Sequence, residues 1–211
     1  MIASEGKIII IPILFLFIIG IIFNGIYPSI WFNWLNILIY LVLFFSVYFF
    51  RDPKRVIPQV DGFLSPSDGK VIQIINIDDA DIGSAVQISI FLSIFNVHSQ
   101  WVPLSSLVIK KEYNPGKFLF AFNHKASIDN EHSIVTFKAE DGNKFKIKQI
   151  AGFIARRILN YMKETHSCKR GDRLGFIRFG SRIDIIVPSS FNILIKVGDP
   201  VIGRKTIIGY F

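Results

Sequence analysis

Two kinds of hydrophobic pattern divide the chain. From Ile8 to Ile26 and from Trp31 to Phe50 the residues are apolar on every face, in runs of 19 and 20 residues. A run of about twenty is what a helix needs to cross the hydrocarbon of a bilayer. Asn24-Gly25 and Tyr27-Pro28-Ser29, between the runs, have a turn-forming composition. Tyr27, Trp31 and Trp34 suit a membrane–water interface. The pattern predicts a membrane-anchoring helical hairpin over residues 1–50. A cleaved signal peptide competes for the first run, with Lys7 as its positive flank. No small-x-small cleavage site follows, however, and a second long run does. A re-entrant hairpin competes for the pair, because the joining segment is short.

Beyond Arg51 the period changes. Pro53, Pro58 and Pro66 punctuate a connecting stretch, and short apolar or alternating segments follow. Strands are predicted over Lys70–Ile77, Val86–Leu92, Leu107–Tyr113, Ser133–Ala139, Lys144–Ile150, Leu174–Phe179, Ile183–Val187 and Asn192–Val197. Lys144-Phe145-Lys146-Ile147-Lys148 alternates strictly, which predicts a half-exposed strand with one apolar and one basic face. Ile154–Met162 is the best helix candidate, with Arg156 and Arg157 on its polar side. Many short strands joined by Gly, Pro and Asn turns predict a mainly β (α+β) fold. Residues 51–211 would form a compact sandwich or barrel-like catalytic domain behind the hairpin.

Composition and charge sharpen this picture. Hydrophobic residues make up 51% of the 211-residue chain, with 21 Phe, and the excess sits in the first fifty residues. The first fifty hold one acid, Glu5, and one base, Lys7, so the whole net charge of +8 lies beyond residue 50. A basic domain favours an anionic partner. Beside a membrane tether, that partner reads as an anionic lipid surface rather than nucleic acid. Lys7 before the first run and Arg51, Lys54 and Arg55 after the second put both ends, and the domain, on the cytoplasmic side of the cell membrane. Cys168 is the only cysteine, so no intrachain disulfide forms, and no Cys/His metal spacing appears. No metal is expected, and a reducing compartment fits.

Candidate chemistry concentrates in Gly171–Pro188, where two predicted strands flank Gly180-Ser181. Glycine lacks a Cβ and opens backbone conformations closed to other residues. The Ser181 hydroxyl could then approach the carbonyl carbon of Gly180 and turn the amide into an ester. β-Elimination would break the chain and leave dehydroalanine, and hydrolysis would release ammonia and leave a pyruvoyl group. On the dipeptide alone, an ordinary turn is the plainer reading. Asp68, in Ser65-Pro66-Ser67-Asp68-Gly69, and His98, the one histidine of four in a strongly apolar context, would complete a nucleophile, base and orienter relay. Singly, Asp68 reads as a turn residue and His98 as a hydrogen-bonded core residue. The relay also fits a membrane-tethered serine hydrolase, although no Gly-x-Ser-x-Gly elbow occurs. The domain by itself also fits a non-catalytic lipid-binding module.

Blocks spanning nearly the whole chain, in order, resemble one family. They are Phe50-Arg51-Asp52-Pro53, Ser65-Pro66-Ser67-Asp68-Gly69-Lys70-Val71, Asn96-Val97-His98 and Asn114-Pro115-Gly116-Lys117-Phe118. They continue with Lys125-Ala126-Ser127, Asn130-Glu131, Gln149 through Ile158, and Gly175-Phe176-Ile177-Arg178-Phe179-Gly180-Ser181-Arg182. The chain is similar to the short form of phosphatidylserine decarboxylase, a pyruvoyl-dependent, self-cleaving enzyme. Long-form members usually carry Gly-Ser-Thr where Arg182 follows Ser181 here, and a second histidine where this chain has Phe95. The resemblance implies that Asp68, His98 and Ser181 form the self-processing triad. His98, oriented by Asp68, would be the base, and cleavage between Gly180 and Ser181 would give chains 1–180 and 181–211. A covalent pyruvoyl group at residue 181 would be the cofactor, forming a Schiff base with phosphatidylserine. CO₂ would leave, with His98 as the proton donor and phosphatidylethanolamine as the product. The implied partners are a membrane phospholipid substrate and the two chains of one precursor, a pairing compatible with a homo-oligomer. Arg156 and Arg157 are the candidates for the lipid phosphate.

Overall fold

The computed structural model describes residues 1–116, 130–152, 157–178 and 181–211. It divides into two units, Met1–Lys54 and Arg55–Phe211. In the first, a 3-10 turn (Ser4–Gly6) leads into α1 (Lys7–Ile26), and α2 (Ile30–Phe49) follows. Each helix has 20 residues, about 30 Å at 1.5 Å per residue. Both are long and apolar enough to cross a membrane. Ile10 is the buried residue of α1, and Ser46 and Phe49 are those of α2. Nearly all the other apolar side chains therefore face outward, as suits association with a membrane. Asn24 Nδ2 donates to Asn33 Oδ1 at 2.6 Å, and Asn36 Nδ2 donates to the Gly20 carbonyl at 3.0 Å. Polar bonds of this kind hold helices together in lipid, at about 0.6–2 kcal/mol each.

The second unit has fourteen strands among the described residues. They are β1 (Phe63–Leu64), β2 (Gly69–Asp79), β3 (Gly83–Leu92), β4 (Ser99–Trp101), β5 (Ser106–Asn114), β6 (His132–Ala139) and β7 (Lys144–Ala151). The rest are β8 (Ile158–Asn160), β9 (Ser167–Cys168), β10 (Arg173–Ile177), β11 (Ser181–Pro188), β12 (Asn192–Ile193), β13 (Pro200–Val201) and β14 (Ile207–Tyr210). Eight of them form a sheet in the order β13-β2-β3-β11-β7-β6-β5-β9, and two three-stranded sheets run β1-β14-β12 and β4-β10-β8. All the pairings among the described residues are antiparallel. The fold is mainly β, as the alternating pattern predicts.

The eight-stranded sheet curls. Lys146 on β7 meets Asp79 at the end of β2 at 2.7 Å, across the intervening β11 and β3. In a flat sheet those three strand steps would span about 14 Å, beyond the reach of the two side chains. One face of the sheet is apolar and packs into the core through Ile88, Ile90, Phe137, Phe145, Ile147, Ile183 and Ile185, all fully buried. The alternate residues line the concave face.

Three local expectations need correcting. The helix over Ile154–Met162 does not form where it is described, because Ile158–Asn160 is β8, paired with Gly175–Ile177 of β10. A nine-residue apolar run does not separate helix from strand by period alone, and residues 153–156 lie outside the described residues. Strand Asn192–Val197 shortens to Asn192–Ile193. The basic face of β7 is open only in part: Lys144 is exposed and Lys148 partly so, but Lys146 is only 7% exposed and is bound by Asp79 and Asp81. Burial opposes the Lys146 ammonium, but hydrogen bonds from the two carboxylates outweigh it and raise its pKa.

Candidate active site

The predicted strands on either side of the Gly180-Ser181 bond are not partners. β10 belongs to the three-stranded sheet with β4 and β8, whereas β11 lies in the middle of the eight-stranded sheet between β3 and β7. Ser181, predicted to lie between strands, is the first residue of β11, opposite Leu92 on β3 and Ala151 on β7. The chain leaves one sheet at Ile177 and is in the other at Ser181. Phe179 and Gly180, the other side of the expected cleavage point, lie outside the described residues, as does Arg156. Ser181 is fully buried, and among the described residues its hydroxyl has no hydrogen-bond partner. A buried hydroxyl left unpaired costs about 1–3 kcal/mol. The Ser67 hydroxyl shares this condition, while those of Ser65, Ser89, Ser106 and Ser133 are bonded.

Asp68 lies at the same end of the sheet. Lys70, Phe91 and Arg182 stand opposite one another across β2, β3 and β11, so the strands carrying Asp68 and Ser181 are two spacings, about 10 Å, apart. Gly69 makes this junction possible: its φ is +151°, and a Cβ there would strike the Phe91 carbonyl. The Asp68 carboxylate is bound by both terminal nitrogens of Arg55 and accepts the Gly203 N–H at 2.8 Å. The Arg55 guanidinium also lies over the Trp101 ring, 5.1 Å from its centroid.

His98 is fully buried just before β4. Its Nδ1 is 2.9 Å from the Asn96 carbonyl. A carbonyl only accepts, so Nδ1 carries the proton and the basic lone pair is on Nε2. The structure thus brings the three expected residues to one end of the domain. Among the described residues, however, no hydrogen bond joins Asp68 to His98, or either of them to the Ser181 hydroxyl.

Around His98 runs a chain of neutral amides that the sequence did not single out. Gln100 Nε2 donates to the His98 carbonyl at 2.7 Å, and Gln149 Nε2 donates to Gln100 Oε1 at 3.0 Å. Asn160 Nδ2 donates to Gln149 Oε1 at 2.8 Å and to Ser133 Oγ at 3.2 Å. Gln149 sits on the same face of the sheet as Ser181, one strand away. This chain fastens β4, which follows His98, to the strand beside Ser181. Its signal was a glutamine at position 149, where the alternation of Phe145 and Ile147 calls for an apolar side chain. On the far side of Ala151, the buried Asn130 donates to the Ala151 carbonyl at 2.7 Å, steadying the neighbour of Ser181.

A family model described as phosphatidylserine decarboxylase matches residues 42–209. The chain is 42% identical over 171 residues to the phosphatidylserine decarboxylase proenzyme of Aromatoleum aromaticum, covering 80% of each. It is 41% identical over 178 residues to that of Cupriavidus pinatubonensis, covering 83% of this chain and 82% of the relative. With the proenzyme of Burkholderia pseudomallei it shares 43% over 172 residues, 80% of this chain and 79% of the relative. The chain belongs to the phosphatidylserine decarboxylase family. That family uses a pyruvoyl group made from a serine of its own chain. Such a group needs a serine screened from water, with its hydroxyl not already committed. Ser181 meets both requirements.

Proposed function

We propose that this protein is a membrane-anchored, self-cleaving carboxy-lyase that converts phosphatidylserine to phosphatidylethanolamine and CO₂. The observation that carries this reading is the buried, unpartnered Ser181 hydroxyl at the start of β11, in a chain of this family. In self-cleavage, Ser181 Oγ attacks the Gly180 carbonyl carbon. The Gly180–Ser181 C–N bond breaks, and the released nitrogen takes the hydroxyl proton through His98 Nε2. His98 then removes the α-proton of residue 181, the Cβ–Oγ bond breaks, and Gly180 leaves as a carboxylate. Water replaces the nitrogen of the remaining dehydroalanine, ammonia departs, and chains 1–180 and 181–211 result.

Asp68 orients His98 in this scheme. Its carboxylate is committed to Arg55 and the Gly203 N–H, and the His98 Nδ1–H to Asn96. The relay therefore closes when one of these contacts exchanges. In turnover the pyruvoyl ketone supplies an electron sink for the bond to the departing carboxylate. His98 returns a proton to the substrate carbon, a step worth roughly two to four orders of magnitude in rate. Residues 1–50 anchor the enzyme, with residues 51–211 as the catalytic domain on the cytoplasmic side of the cell membrane. Each buried CH₂ holds a lipid in the bilayer by about 0.8 kcal/mol, so the enzyme has to work at the surface.

Intact-mass measurement of the wild type beside Ser181→Ala tests the reading. The expected wild type is two species parted at Gly180/Ser181, the smaller with a ketone in place of its N-terminal amine, and the variant stays whole. A wild type that remains intact in samples incubated with membranes would sink the decarboxylase. Labelling of that intact chain at Ser181 by acylating probes would point to a hydrolase instead.

A further inference from the structure

The concave face of the curled sheet carries a buried charged group that self-cleavage does not use. Arg182, the residue after Ser181, is 1% exposed. Its Nε donates to Asp184 Oδ1 at 2.6 Å, and its Nη2 donates to Ser89 Oγ at 2.8 Å and Gln73 Oε1 at 3.3 Å. Nη1 is buried, and among the described residues it has no hydrogen-bond partner. A guanidinium offers five N–H donors, so the two on Nη1 are left over. Register places Lys148 opposite Asp184, and it sets His132, Ile150, Arg182 and Phe91 in one row. Arg182, Asp184 and Ser89 are buried, whereas Gln73, Phe91, His132 and Lys148 around them are partly exposed. Arg182, Lys148 and His132 thus lie around Asp184, while Glu112, farther along the row of Asp184 and Lys148, is paired with Lys110. Surplus positive charge with spare, fixed N–H donors matches an oxyanion.

We propose that Arg182 and Lys148 bind the phosphate oxyanion of the lipid headgroup, with Arg182 Nη1 as a direct donor. The identity of the lipid rests on the decarboxylase reading. Phosphate, rather than the substrate carboxylate, is the group these cations suit. The carboxylate departs as CO₂, and a cation bound to it would stabilise the ground state and oppose the reaction. The phosphate keeps its charge throughout, so holding it lowers KM without raising kcat. Arg182 adjoins residue 181 at the start of β11 but points to the other face of the sheet, so the headgroup has to enter over the end of that strand to meet both. Burial works against the Lys148 ammonium and lowers its pKa despite nearby Asp184, and an incoming anion would offset that penalty.

The test uses the full-length chain in detergent micelles, carrying Ser181→Ala so that it stays in one piece. Glycerophosphoserine and inorganic phosphate are titrated separately, with calorimetry and the side-chain nitrogen resonances of Arg182 as readouts. The ester is expected to bind more tightly than inorganic phosphate and to shift the Arg182 signals, and Lys148→Gln should weaken it by about tenfold. In the processed enzyme, Lys148→Gln and Arg182→Lys should raise KM by about tenfold, with a much smaller change in kcat. Lys148→Gln leaves the buried Arg182–Asp184 pair intact, so it carries the result if Arg182→Lys fails to fold. Equal binding of inorganic phosphate and ester would make this a free-phosphate site and overturn the proposal. So would an unchanged KM in an enzyme that is cleaved and releases CO₂, and the decarboxylase reading would then stand alone. If the wild type neither cleaves nor releases CO₂, that reading fails; the titration still decides the site, kept by ester binding and removed by its absence.

Discussion

On β11, residues 181, 183, 185 and 187 point to one face of the sheet, and residues 182, 184 and 186 to the other. Both faces bury polar groups on β11 and the strands around it, yet of opposite kinds. On the core face, the polar members Gln100, Gln149, Asn160 and Ser133 are neutral and bonded to one another among isoleucines and phenylalanines. On the concave face, beside the neutral Ser89 and Thr136, stand ions: Arg182 with Asp184, Lys146 with Asp79 and Asp81, and Lys148. Neutral amides lose little on burial once their donors and acceptors are matched. They suit the task of fixing a backbone. Buried ions are expensive and leave strong fields around them, which suits the capture of a charged ligand. One strand thus separates a positioning face from a binding face.

The largest expected effect lies on the ionic side. Asp184→Ala leaves the buried Arg182 guanidinium without its carboxylate, and breaking such a pair costs about 3–5 kcal/mol. Thermal unfolding of the full chain in detergent should show a large drop in Tm. Replacing both partners, Arg182→Met with Asp184→Leu, should recover most of that stability because no orphan charge remains. The double variant should still handle substrate poorly. A double variant no more stable than Asp184→Ala would show that the pair stabilises the sheet for its own sake.

Next in size is a change on the apolar side. Ile185 is fully buried, and Ile185→Ala opens a cavity worth about 2–5 kcal/mol. It should lower Tm and leave KM as it was. A raised KM from Ile185→Ala would erase the distinction between the two faces.

How far the sequence discloses this arrangement depends on the physical signal involved. The two N-terminal helices were legible because apolar runs of 19 and 20 residues have few other uses. The long strands were legible by their period of two, as in Lys144–Lys148. The same alternation misled about exposure, since period shows that Lys146 and Ile147 face apart but not which face is open to water. A sheet that curls hides its polar face as well. Asp68, His98 and Ser181 stood out as residue types that carry chemistry. Arg55, which binds Asp68, did not, because an arginine in a proline-punctuated stretch gives no local sign of a partner 13 residues away. Ile158–Asn160 read as helix because only the partner strand β10 decides its form.

A smaller effect probes the neutral chain. Gln149→Leu keeps the bulk but leaves Gln100 Oε1 and an Asn160 donor unpaired, at a cost of about 1–3 kcal/mol. If this chain positions His98, the 181–211 fragment should appear more slowly than the loss of Tm alone explains. Gln149→Glu puts a carboxyl group against Gln100 Oε1 at a fully buried site, so it should cost more stability than Gln149→Leu and restore none of the cleavage rate. Equal rates for wild type and Gln149→Leu would reduce the chain to simple packing.

The smallest effect is a dependence on pH confined to the concave face. His132 is partly exposed on it, its Nδ1 2.7 Å from the Asn130 carbonyl. Burial is the main influence on the imidazole and lowers its pKa below 6.5, with Lys148 acting in the same direction. The bond to Asn130 and the charges of Asp184 and Glu112 pull the other way without overcoming it. The folded state therefore binds fewer protons at His132 than the unfolded state does. The neutral ring's contribution is fully present above about pH 6.5, the unfolded value, and is lost as pH falls through the lower folded value. The Tm difference between wild type and His132→Gln should shrink as pH drops from about 7.5 to about 5. Ile185→Ala removes no ionisable group, so it should shift Tm by nearly the same amount at both pH values. If the His132→Gln difference is flat with pH, or the Ile185→Ala difference slopes, the ionic character assigned to the concave face is wrong.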